Sequence, residues 1–229
     1  MLRIITDFDG PIIDVSERYY RVYQYCLLET RRSNQEVQQL TKAEFWQLKR
    51  SRTPEKQIAL ISLLDETQAQ DFAHLRRQTI NTESYFEYDT LATGAVDALL
   101  KILEAGVDLA VMTMRRVREL DYAFKKFDLE RFFPENRCYC LNNDYVKTRD
   151  IDDKPLLMAR ALSELPTASD TWMVGDTEAD ITAAKKHGIK AIAVECGIRD
   201  QAQLEIYNPD IIVKDLRFAV DFILFPQKS

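Results

Sequence analysis

Short apolar runs punctuate this chain at Leu2–Thr6, 107–112, Cys138–Leu141, 171–174, 191–194 and Ile211–Val213. They are rich in Val and Ile, and their length predicts buried strands. Between the later runs, apolar residues recur at helical spacing. One such stretch, 95–105, stops at Gly106; a second, 156–165, stops before Pro166; a third, 180–187, stops at Gly188. Strand and helix in alternation imply a parallel sheet wound by right-handed crossovers, with helices on both faces. The expected class is therefore α/β, a doubly wound, mostly parallel, Rossmann-like sheet. In such sheets the ligand crevice lies outside the carboxyl ends of the strands.

Residues 14–89 break the pattern. They hold no convincing strand and no glycine, and are rich in Glu, Gln, Arg, Leu and aromatics. Amphipathic helices are predicted over 16–28, 42–49, 55–64 and 67–83, with Pro54 between the second and third. The expected organisation is a sheet domain from 1–14 and 90–229, with an all-α cap domain, 15–89, inserted after the first strand. Placed over the strand ends, such an insert would close on a ligand and exclude water. Tyr19, Tyr20, Tyr23 and Tyr25 read as core and interhelix packing, a stacking platform for bases being the alternative. Residues 225–229 are expected to form a frayed tail.

At 229 residues, with 46% hydrophobic and 30% charged, the chain can bury a substantial core. Its net charge of −6 argues against a general nucleic-acid or anionic-membrane surface, though not against a local cationic pocket. No apolar run approaches bilayer length, and the amino terminus lacks the features of a signal peptide, so a cytoplasmic location is expected. Cys26, Cys138, Cys140 and Cys196 are too few and scattered for a disulfide framework and read as core thiols. Of the two histidines, His187 precedes Gly188 at a helix end and reads as structural; His74 reads as solvated.

The chemistry-bearing residues fall at predicted strand ends. The first strand runs into Asp7-Phe8-Asp9-Gly10, and strand alternation would place Asp7 and Asp9 on one side. Two adjacent acids repel unless something offsets the charge, and Mg²⁺, which prefers oxygen ligands, would do so. An Asx turn capping a helix is the alternative. The second strand ends in Thr113, whose hydroxyl can hold an anionic oxygen. Lys154-Pro155 is expected to open a helix, with Pro155 in its first turn. Gly175-Asp176-Thr177-Glu178-Ala179-Asp180 places two acids four residues apart where strand passes into helix.

In this order the motifs (DxDG, a strand ending in Thr, Lys, then GDxxxD) resemble those of the haloacid dehalogenase superfamily of phosphotransferases. The helical insert resembles the cap of its phosphoglycolate phosphatase and β-phosphoglucomutase members. The resemblance implies that Asp7 is the nucleophile, forming an aspartyl-phosphate. Asp9 would protonate the leaving alcohol and then activate water. Asp7, the backbone carbonyl of Asp9 and Asp176 would hold Mg²⁺, with Asp180 either joining them or orienting metal-bound waters or Lys154. Thr113 and Lys154 would bind the phosphoryl oxygens. A carboxylate and a phosphate dianion repel, and a dication with a lysine cancels that repulsion.

Two positions depart from the family pattern: Pro11 stands where Thr is usual, and Met114-Arg115-Arg116 follows Thr113 where many relatives carry Asn. Arg115 or Arg116 could bind a second anionic group on the substrate, or be surface charges. Lys49, Arg50 and Arg52, in a predicted interhelical loop, would likewise favour a small substrate with extra negative charge, or be a solvated turn. The leading expectation is a Mg²⁺-dependent phosphatase acting on a small phosphorylated metabolite. A sugar-phosphate phosphomutase and a catalytically idle binding module are the alternatives.

Overall fold

The computed structural model describes residues 1–225; residues 226–229, most of the expected frayed tail, lie outside the described residues. The chain divides into two compact units, one built from Met1–Asp14 and the chain from Leu91 onward, the other from Val15–Thr90.

Among the described residues, the first unit is built on six parallel strands. They are β1 (Leu2–Thr6), β4 (Asp108–Arg116), β5 (Cys138–Leu141), β6 (Asp170–Gly175), β7 (Lys190–Val194) and β8 (Ile211–Val213). Two-residue strands β2 (Ile13–Asp14) and β3 (Thr90–Leu91) stand where the chain leaves this unit and returns to it. The sheet order is β5-β4-β1-β6-β7-β8, a doubly wound α/β arrangement. Winding proceeds outward from β1 to β5, then reverses and restarts at β6 on the other side of β1. The boundary between β1 and β6 is thus the switch point, where such sheets open a crevice.

Alternation along each strand divides the core. Ile5, Ala110, Met112 and Met173 pack with Leu157, Met158 and Ala161 of α7 (Asp150–Glu164) and with Ile181, Ala183 and Ala184 of α8 (Glu178–Lys186). Ile4, Val111 and Val174, one position along, are buried as well. Helices α5 (Ala95–Glu104), α6 (Val117–Phe127) and α10 (Leu216–Leu224) also pack on the strands. A short α9 (Gln201–Glu205) precedes β8.

Two expectations are corrected here. Strand β4 does not stop at Met112. Its buried-and-intermediate alternation continues through Thr113, Met114 and Arg115 to Arg116, which pairs with Leu141 after a shift in register. The two arginines hid this extension from the hydropathy pattern. Helix α7 opens at Asp150, so Lys154 lies in its second turn and Pro155 is internal. Asp150, Asp152 and Asp153 occupy the first turn, where carboxylates meet the positive end of the helix. Asp153 also accepts hydrogen bonds from the Thr148 backbone N–H (2.8 Å) and hydroxyl (2.7 Å).

The second unit is helical: α1 (Ser16–Thr30), α2 (Lys42–Arg50), α3 (Glu55–Ile61), α4 (Glu66–Thr79) and a 3-10 turn (Glu83–Tyr88). Capping boxes open α2 (Thr41 with Glu44) and α4 (Asp65 with Gln68). Its own core gathers Val22, Tyr23, Phe45, Ile58 and Phe72, with Tyr23 stacked on Phe45. Arg18 Nε lies 2.8 Å from Asp89, a fully buried ion pair joining the first helix to the end of the unit. His74 is exposed, and His187 caps α8 with Nε2 3.0 Å from the Pro155 carbonyl.

Candidate active site

Pairing of β1 with β6 brings the ends of the first and fourth sheet strands together, Thr6 lying opposite Val174. One residue on, the Asp7 N–H donates to the Val174 carbonyl (2.7 Å). Asp176 follows the last residue of β6, and Asp180 lies in the first turn of α8. The outcome is a group of three buried carboxylates, Asp7, Asp176 and Asp180, with one oxygen of each within 4.8 Å of the others. Lys154 reaches in from α7, its Nζ 2.8 Å from Asp7 Oδ2 and 2.5 Å from Asp180 Oδ1. Lys154 is itself 1% exposed.

Hydrogen bonds fix each acid. Phe8 N–H donates to Asp7 Oδ1 (2.7 Å), and Ile198 N–H donates to Asp176 Oδ2 (2.6 Å). Asp180 Oδ2 accepts from the Thr177 backbone N–H (3.0 Å) and hydroxyl (2.7 Å), closing the cap of α8. Gly10 and Gly197 wall Asp176: a methyl group at either would collide with its carboxylate. Gly10 also takes φ +95°, a conformation open mainly to glycine.

Burial, reinforced by Asp180, pushes the Asp7 carboxyl well above the usual carboxylate range, Lys154 opposing. Burial with Asp180 likewise lifts Asp176 to about 7, against the Ile198 N–H and Lys154. Burial disfavours the charged Lys154, but Asp180 and Asp7 outweigh it and hold the ammonium protonated. Three carboxylates facing one ammonium leave two negative charges in excess if all ionise. A divalent cation matches that excess, and an all-oxygen donor set suits a hard one.

Asp9 is not among these three carboxylates; its side chain, 32% exposed, meets Arg115. Arg115 Nε (2.9 Å) and Nη2 (2.6 Å) both donate to Asp9 Oδ1. The guanidinium, 4% exposed, also lies over the Phe8 ring at 5.1 Å. Thr113 is buried, and its Oγ1 accepts the Arg115 backbone N–H (3.1 Å), which leaves the hydroxyl proton for another acceptor. Arg116 bonds Glu119 and the Tyr145 carbonyl.

In the helical unit, the loop basics expected to meet substrate divide. Lys49 pairs with Glu55, Arg50 ends α2, and Arg52 takes a left-handed φ of 59° in the loop before α3. Sequence reading missed their partners. Arg76 of α4, 8% exposed, forms an ion pair with Glu55 (2.9 Å), and the cations of Arg76, Arg18 and Lys49 lie 4.8, 5.6 and 5.9 Å from the Tyr19 ring centre. Tyr19 faces this cation cluster while packing on the helical core and edge-on to Trp46, and Tyr20 and Tyr23 also pack as expected. The Gly10 and Gly197 walls also escaped sequence reading. A glycine's need for space shows only when its neighbour is known.

A family model described as haloacid dehalogenase-like hydrolase matches residues 4–194. The chain belongs to the haloacid dehalogenase-like hydrolase family. Among curated proteins similar to this family member are phosphoglycolate phosphatases of Pseudomonas syringae pv. tomato and Pseudomonas fluorescens Pf-5. The first is 25% identical over 131 residues, which is 57% of this chain and 46% of that protein. The second is 24% identical over 144 residues, 63% of this chain and 51% of that protein. The match thus spans about half the length of these relatives. Solved haloacid dehalogenase-like folds cover nearly the whole chain. A Streptococcus pneumoniae haloacid dehalogenase-like family protein aligns with TM-score 0.67 at 20% identity, over 96% of this chain and 97% of its own. A Clostridium difficile structure reaches TM-score 0.74 at 19% identity, over 97% of both chains.

Proposed function

We propose that this protein is a Mg²⁺-dependent phosphatase that hydrolyses a small phosphomonoester through an aspartyl-phosphate on Asp7. The observation that carries the reading is the buried group of Asp7, Asp176 and Asp180 around Lys154, whose excess negative charge suits a dication. Asp7, Asp176 and the Asp9 backbone carbonyl would hold Mg²⁺, which when bound neutralises phosphoryl charge. Both oxygens of Asp180 already serve Lys154 and the Thr177 cap, so its role is to position the lysine.

Asp7 is oriented for attack by the Phe8 N–H and carries Lys154 beside it to offset the incoming phosphoryl charge. Thr113 offers its hydroxyl proton to a phosphoryl oxygen. Asp9 gives its proton to the departing alkoxide, and its carboxylate then takes one from the water that cleaves the acyl phosphate, regenerating Asp7. The helical insert begins at Val15, shortly after Asp9 in the chain, and we assign it the part of a cap. A small metabolite bearing a second anionic group, as phosphoglycolate does, is the substrate class that the phosphoglycolate phosphatase relatives support.

Turnover of p-nitrophenyl phosphate tests the reading. Release of phosphate is expected with Mg²⁺, is lost with chelator, and falls at least about a thousandfold in Asp7→Asn. Unchanged turnover in Asp7→Asn would refute it. Phosphate release in place of isomer exchange on a sugar phosphate separates the hydrolase from a mutase.

A further inference from the structure

We infer that Arg115 is a positioning residue that fixes the Asp9 carboxylate for its work on the leaving group, a role that rests on the acid–base reading of Asp9. Asp9 lies beyond the end of β1, where its backbone bridges to Ile13, but that bridge leaves the side-chain torsions unset, and an aspartate held by its backbone alone would sample several rotamers. Arg115 removes that freedom. Two guanidinium nitrogens converge on one oxygen, Oδ1, at 2.9 and 2.6 Å. The arginine in turn is fixed by strand β4, by its N–H to Thr113 and by the Phe8 ring beneath its guanidinium.

Burial is distributed so as to serve this purpose. The arginine is 4% exposed, whereas the aspartate side chain is 32% exposed. The anchor is sequestered while the acid keeps a face toward solvent, from which an ester can approach. A buried guanidinium is costly unless matched, and a charge-assisted pair meets that demand while setting direction. This differs from the role its sequence position suggested. With its guanidinium committed to Asp9, Arg115 acts on the ester through the acid and not by binding a second anion. A displacement of an ångström at a reacting group can cost two orders of magnitude in rate, so a small slackening of this pair is visible kinetically.

Leaving-group dependence tests the role. p-Nitrophenolate departs without needing a proton, whereas the alkoxide of glycerol 2-phosphate needs one. In Arg115→Met, kcat/KM for glycerol 2-phosphate should fall about tenfold or more beyond the fall for p-nitrophenyl phosphate. Because both esters are assayed on one preparation, the ratio is independent of how much of the variant folds. Arg115→Lys keeps the charge without the fork and should restore part of the ratio. In an Asp9→Asn background, Arg115→Met should leave the ratio where Asp9→Asn put it.

Equal losses on both esters would overturn the inference and leave Arg115 a structural residue. A loss confined to phosphoglycolate, with glycerol 2-phosphate spared, would overturn it in favour of a receptor for the substrate's carboxylate. If Asp9→Asn itself leaves the ratio at the wild-type value, or Asp7→Asn stays active, the underlying reading fails and the inference with it.

Discussion

Asp176, with a carboxyl lifted to about 7 by burial beside Asp180, ties stability to pH. Between its ordinary value of 3.8 and about 7, the folded chain without metal binds a proton that the unfolded chain has released. Stability therefore falls as pH rises through that window, and the full penalty is present above it. A cation must displace the same proton, so its binding strengthens over the same interval. The rise in melting temperature on adding Mg²⁺ should grow from pH 5 to 7 and flatten beyond. Differential scanning calorimetry with and without chelator measures it. A Mg²⁺ increment that stays constant across this range would contradict the assignment, as would one that survives Asp176→Asn.

At the scale of elements, the strands were legible because two-sided burial leaves unbroken apolar runs, as in Cys138–Leu141 and Ile211–Val213. The ends of elements were less so. Arg115 and Arg116 continue the strand with Asp9 and Glu119 as charge partners, which no local pattern conveys. The start of α7 was displaced by Pro155, which suggests a first turn although four aspartate and lysine positions precede it. The acids and Lys154 were readable as an ordered set. Their mutual distances, and the diversion of Asp9 to Arg115, depend on packing between distant segments. The loop between β7 and α9 shows what else was hidden. Gly197 lets the Asp176 carboxylate lie against backbone. Gly197→Ala should weaken Mg²⁺ about 10- to 100-fold, read by isothermal titration; an unchanged affinity would mean the wall is dispensable.

On the scale of the molecule, the helical unit carries its own core and its own internal clasp. Arg18 and Asp89 are both buried, and removing one charge leaves the other uncompensated. Asp89→Asn should cost about 3 kcal/mol of stability. Hydrogen exchange is the discriminating measurement, with lost protection expected within 15–90 and the sheet unit little changed. Loss spread evenly over both units would show that the two do not open separately.

The central place of β1 has a consequence for how the chain comes into being. Its neighbours β4 and β6 begin at Asp108 and Asp170, so β1 finds its partners only after the whole of 15–90 has been made. The helices of 15–90 can assemble meanwhile, since they pack on one another within that stretch. Asp7 gains the full set of Lys154, Asp176 and Asp180 only once β6 and the start of α8 have been made. A nascent chain thus carries Asp7 without these partners until the start of α8 has been made.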